Sequence, residues 1–344
     1  MWASGAPGDT ASLAHLVSRW VAAAPTAAFA AADPHGFTLE TLPSVAESPR
    51  LVTPTLVEDE AVVPRRVADA TQTDLRPPAD DTGFAAFLDG VQQSRVVGHY
   101  DGIPVVVGKV AAVIRRRVNR RLTTYGPGPL QQRALYAPWD LLPPGYLTEA
   151  ERLGWLLRDT HEPEPAASGV HPYAISERAL HLVQADRETL EHRLAEVWCA
   201  TEQAPLYVDG GVSRNEPAAV SPRVVGVVKS HRTLYVAPDD VAILVRLRGG
   251  ERTSVVRLTS HRRTPVLSWY LRVREGANRG PFWGLVRVEV ADIDSHAMTD
   301  RANQVCRWVL SEMAAPAPLS LPDQRWDTLA YGVHDCEAFL RAVI

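Results

Sequence analysis

Cysteine and lysine are scarce in this chain. Three cysteines, Cys199, Cys306 and Cys336, occur in 344 residues. An odd number without metal-type spacing argues against a disulfide framework and for a reducing cytoplasm. Lysine occurs only at Lys109 and Lys229, so almost all positive charge is arginine. The Ala, Val, Arg and Pro bias looks like that of a GC-rich genome, which makes each lysine more informative than each arginine. No apolar run approaches the roughly 18 residues of a membrane span. No lysine or arginine precedes Arg19, which is not the pattern of a signal peptide. Global basicity is missing too. The formal net charge is −4, so a nucleic-acid partner must be gripped by a local patch. No solenoid-type repeat is visible.

What the chain does have is two apolar runs that each end in Asp-Gly. One is Pro205-Leu206-Tyr207-Val208-Asp209-Gly210, the other Phe87-Leu88-Asp89-Gly90. Each reads as a buried strand delivering one carboxylate to its end. Buried carboxylates are rare unless paired or metal-bound, although a plain turn is the ordinary meaning of Asp-Gly after a strand.

Residues 1–80 are Pro- and Ala-rich, with one amphipathic helix expected over Leu13–Ala24. They read as an N-terminal extension, either draped over the core near a subunit contact or partly disordered. Order is expected from about 81 to the C-terminus. Phe84–Asp89 reads as a strand. Arg95–Tyr100 and Ile103–Val107 flank Asp101-Gly102, a type I′ hairpin signal. The run Arg115, Arg116, Arg117, Arg120, Arg121 is the densest positive charge; it suits phosphate contacts or a solvated element end. A short helix is expected over Leu147–Arg158. A long amphipathic one is expected over Ser176–Ala200, carrying Glu188, Glu191 and Glu196. Strands follow at Arg223–Lys229, Ser254–Leu258, Val266–Val273 and Phe282–Val290, with a helix start at Pro238-Asp239-Asp240. Helices over Asp294–Met313 and Trp326–Ile344 close the chain. A meander, a helix, further strands and terminal helices make a mixed α/β fold.

Two carboxylates at neighbouring strand ends repel, and one is pushed toward protonation. A hard divalent cation relieves that conflict, and oxygen ligands suit Mg²⁺ or Mn²⁺. A third acid from the long helix and His334 from the last one would complete a shell, and Lys229 ends an apolar strand where a phosphate would sit. Each signal has a bland counterpart: a helical Glu that faces water, a satisfied structural histidine, a lysine that caps a strand.

Taken in order, these pieces resemble the NurA family of nucleases over roughly residues 84–344. Phe87-Leu88-Asp89-Gly90-Val91 stands where the family has Asp-Gly-Ser, with Val in place of Ser. Arg187 four residues before Glu191 matches its helical basic-to-Glu spacing. Leu206–Gly210, Val224–Ser230 and Leu285–Val290 match its later segments. Leu329–His334 stands at the C-terminal histidine but lacks the expected prolines. The resemblance implies an RNase H-like fold with Asp89, Glu191, Asp209 and His334 as metal ligands and Lys229 on the scissile phosphate. It implies Mn²⁺ (or Mg²⁺) dependence and 5′-to-3′ exonuclease action on DNA, with single-strand endonuclease action as an option. It further implies a homodimer docked on a HerA-like hexameric ATPase, in DNA end resection, repair or phage defence. The alternatives are an RNase H-like ribonuclease, since strand choice turns on 2′-OH contacts, and a catalytically degenerate assembly subunit of a DNA-translocating complex.

Overall fold

The structure, a computed structural model, describes residues 49–67, 83–126, 128–161, 172–261, 263–275, 279–292, 295–313 and 328–343. Apart from 279–280 these belong to one unit, Val45–Gly276 with Pro281–Ile344. The expected Leu13–Ala24 helix lies outside the described residues.

In chain order the strands are β1 (Arg50–Leu51), β2 (Thr55–Leu56), β3 (Pro64–Arg66), β4 (Ala86–Tyr100), β5 (Ile103–Val118), β6 (Arg121–Thr124), β7 (Leu130–Ala137), β8 (Leu156–Asp159), β9 (Leu206–Asp209), β10 (Val224–Val228), β11 (Thr233–Leu234), β12 (Glu251–Thr253), β13 (Val256–Ser260), β14 (Arg263–Arg272) and β15 (Leu285–Ala291). The helices are α1 (Pro144–Arg152), α2 (Pro172–Thr201), α3 (Glu216–Val220), α4 (Val241–Arg246), α5 (Ser295–Met313) and α6 (Tyr331–Val343).

The sheet is organised around β4. It pairs antiparallel with β5, which pairs antiparallel with β7. On its other side β4 pairs parallel with β9, and β9 parallel with β10. The run β7-β5-β4-β9-β10 is the 3-2-1-4-5 strand order of an RNase H-like sheet. β15, β14 and β13 extend it antiparallel beyond β10. Residues 49–67 contribute short strands: β1 pairs with β11, β2 with β13 and β3 with β12.

Alternation along the strands divides the core in two. Phe87, Ala111, Val113, Tyr207 and Val227 pack with α5 and α6 on one face. Ala86, Leu88, Val110, Ile114, Leu206 and Val208 pack with α2 on the other. Arg115, Arg116 and Arg117 pin helices onto these faces. Arg115 donates to Asp335 of α6 at 2.6 Å and its guanidinium lies 4.7 Å from the Phe339 ring centre. Arg117 makes a paired contact with Glu312 of α5 at 2.8 and 2.7 Å. Arg116, pointing the opposite way, reaches Glu202 just after α2 at 3.0 Å.

The β4–β5 hairpin turns on Asp101 and Gly102, both at positive φ (45° and 78°), as a type I′ turn requires. The helix expected over Leu147–Arg158 is shorter. Gly154 at φ 77° ends it, with its N–H on the Glu151 carbonyl and the Trp155 N–H on the Ala150 carbonyl. That is a Schellman stop, after which the chain becomes β8. Among the described residues no helix is long and apolar enough to cross a membrane.

Candidate metal centre

Parallel pairing places Ala86 opposite Leu206, Phe87 opposite Tyr207 and Leu88 opposite Val208. Asp89 and Asp209 are the next residues in that register, each two positions past a ring, Phe87 or Tyr207, in the core shared with α6. β9 stops at Asp209 while β4 runs on, so the two carboxylates mark the edge where the parallel pairing ends. A third acid arrives from α6. Gly332 lies so close to β4 that a Cβ there would sit 2.2 Å from the Phe87 ring. The helix is therefore seated on the strand, and Glu337 reaches the same edge. Ligand oxygens of Asp89, Asp209 and Glu337 all lie within 4.8 Å of one another.

Asp89 is only 4% exposed, and its Oδ2 has no hydrogen-bond partner. Burial, then the negative charges of Asp209 and Glu191, push its carboxyl well above the ordinary 3.8; Lys229 pulls the other way. Lys229, one residue past β10, holds Asp209 at 2.8 Å. Three convergent carboxylates with an orphaned buried oxygen fit a hard divalent cation, whose ligands are oxygens.

Glu191 approaches from the opposite face, on α2. It passes where Gly90 has no side chain: a Cβ there would meet Glu191 Oε1 at 2.3 Å. Arg187, one turn earlier, holds it at 2.8 Å. Burial pushes the Glu191 carboxyl up to about 7, with Arg187 opposing and Glu188 and Asp209 adding to the rise. A cleft of about 330 Å³ opens on this side, lined by Arg187, Glu191, Asp209, Arg214, Arg287 and Glu289 among others. Glu289 is fully involved in structure. It pairs with Arg287 and accepts from the backbone N–H groups of Val212 (2.8 Å) and Ser213 (3.3 Å), fixing the loop after Asp209.

The residues expected at the site thus separate. Asp89 and Asp209 meet, with Lys229 beside them and Glu191 within electrostatic reach. His334 is not among the residues whose ligand atoms converge. Its backbone continues α6 and its Nδ1 is buried without a hydrogen-bond partner. Glu337, one helical turn further on, has the place expected of it, because that position of α6 points at the strand ends. Sequence reasoning passed over Glu337, although a signal was present: it interrupts the apolar stripe Val333, Cys336, Leu340. Of the basic run, Arg115, Arg116 and Arg117 are held by carboxylates inside the chain. Arg120 and Arg121 stand exposed at the β5–β6 turn, Arg120 at φ 65°.

No protein-family model matches the sequence, and no curated protein matches it at a significant level. Among solved structures the chain is similar to the NurA nuclease from Sulfolobus solfataricus. The identity is 12%, the TM-score 0.33, and the match covers 75% of this chain and 82% of that one. A superposition that loose transfers neither a residue role nor an activity.

Proposed function

We propose that the chain is a divalent-metal-dependent phosphodiesterase acting on DNA. The observation that supports this reading is the convergence of Asp89, Asp209 and Glu337 within 4.8 Å at one edge of an RNase H-like sheet. Asp89, Asp209 and Glu337 would hold the ion. When bound, such an ion supplies an acidified water and offsets charge building on a phosphoryl group. The side chains divide the remaining work. Lys229 keeps Asp209 oriented and brings a cation to the rim where a phosphate arrives. Glu191, with its carboxyl near 7, takes or gives a proton at Oε at neutral pH. Mn²⁺ as the preferred ion, 5′-to-3′ polarity, a homodimer and a HerA-type ATPase partner extend the same reading, on the motif order alone.

The test is hydrolysis of end-labelled DNA and of a matched RNA, with Mn²⁺ or Mg²⁺. Asp89→Asn and Asp209→Asn should each lower the rate by about a hundredfold or more, as removal of a group acting on the developing charge does, while the fold persists. Retained cleavage in both variants would defeat the assignment, and preference for RNA would move it to a ribonuclease.

A further inference from the structure

We propose that the β4–β5–β7 face beyond the acidic edge is a binding tract for single-stranded nucleic acid, built from Arg95, Lys109, Arg133 and Trp155. The tract extends the nuclease reading, but its test runs without metal, so the two stand or fall separately.

Three observations carry it. The first is register. Gln93 pairs with Lys109, and Lys109 with Arg133, so the three side chains form one row across the sheet. Arg95 is two residues further along the same face. β4 brings this row to the acidic site: Phe87, Asp89, Val91, Gln93 and Arg95 alternate onto one side. Four residues of strand separate Asp89 from Gln93, about 13 Å at ~3.3 Å per residue. The row therefore begins a few nucleotides from the carboxylates, on their face of the sheet.

The second is shape. Gln93, Arg95, Lys109, Arg133 and Trp155 line a cleft of about 580 Å³. Trp155 is positioned by the Gly154 stop that turns α1 into β8, and the Arg133 guanidinium lies 3.5 Å from its ring centre. A guanidinium plane on an indole is a stacking platform that suits unstacked bases and not the edge of a closed duplex.

The third is charge. In a chain of net charge −4, the arginines at 115, 116 and 117 are each matched to a carboxylate. Among the described residues Arg95, Lys109 and Arg133 have no ion-pair partner, and one of the two lysines of the chain is spent here. Three unmatched cations in one cleft cost like-charge repulsion that a polyanion relieves. The same repulsion opposes two copies of the chain meeting cleft to cleft.

The experiment is fluorescence anisotropy of a labelled oligothymidylate with the full chain in EDTA, over a salt series. The combined variant Arg95→Gln, Lys109→Gln, Arg133→Gln should bind at least tenfold more weakly. Its log K against log salt should be shallower by about 2, since single-strand binding loses ~0.7 per phosphate contact. The charge-keeping pair Arg95→Lys, Arg133→Lys should retain the wild-type slope. Trp155→Ala should weaken binding about tenfold at unchanged slope, as loss of one stacking ring does, and Trp155→Phe should restore most of it. All of these side chains lie on exposed or half-buried surface, and thermal melting confirms the fold of each variant. Unchanged affinity and slope in the triple variant would overturn the proposal. So would duplex DNA bound more tightly than the single strand through the same residues.

Discussion

Asp89 and Glu191 are acids held where ionisation is costly, and that cost is measurable without knowing the substrate. Glu191 titrates at about 7 in the folded chain against an ordinary 4.5. The folded state therefore binds this proton more tightly than the unfolded one. The resulting stability is fully present below about pH 4.5 and is lost as pH rises through 7. Asp89, also raised, works in the same direction. Metal-free protein should lose about 3 kcal/mol of stability from the Glu191 proton across that window. Glu191→Gln should flatten the dependence, and a melting temperature that climbs from pH 5 to 7.5 in EDTA would contradict it. Gly90→Ala separates site from scaffold. Its Cβ would meet the carboxylate of Glu191, Oε1 at 2.3 Å, and Arg187 Cγ at 3.0 Å, both side-chain atoms that can shift. Stability should change by under about 1 kcal/mol, while turnover drops about tenfold or more because Glu191 and Arg187 must move. A fall in melting temperature with unchanged turnover would show that Glu191 is a bystander.

At the scale of elements, the seating of α6 on β4 decides whether the third carboxylate arrives. Gly332→Ala drives a methyl into the Phe87 ring. It should cost about 1–3 kcal/mol or more as overpacking, and it should weaken metal binding as well, since Glu337 rides on the same helix. Thermal melts and a metal titration on this one variant check both. Arg117→Ala leaves Glu312, only 8% exposed, without its bidentate partner. It should destabilise by about 1–3 kcal/mol and leave the salt dependence of nucleic-acid binding alone. A lowered salt slope in this variant would place Arg117 on the ligand instead. Much of this level was readable in the chain. The two Asp-Gly strands, the Asp101-Gly102 hairpin and the long helix carrying Glu191 follow from alternation, turn chemistry and helical period. Three features were not. Gly154 ends α1 through backbone bonds that depend on its φ, where composition showed only a helix-like run. Glu337 matters because α6 docks at Gly332, a long-range fact that local pattern does not hold. Likewise, nothing local distinguishes Arg115–Arg117, which are spent on Asp335, Glu202 and Glu312, from cations free to meet phosphate.

For the whole molecule, chain topology produces the site. The 3-2-1-4-5 order sets β4 parallel to β9, so two acids more than a hundred residues apart in sequence end up neighbours. Helices on opposite faces then add Glu337 and Glu191 to the same edge. The most direct test is calorimetric titration of Mn²⁺, with Mg²⁺ alongside, into the wild type and into Asp89→Asn, Asp209→Asn, Glu337→Gln and His334→Ala. Wild type should give a saturable isotherm. The three acid variants should each bind at least about tenfold more weakly, as loss of one ligand or its supports does, and His334→Ala should bind as wild type. Identical isotherms for the wild type and all three acid variants would mean that these carboxylates do not share an ion.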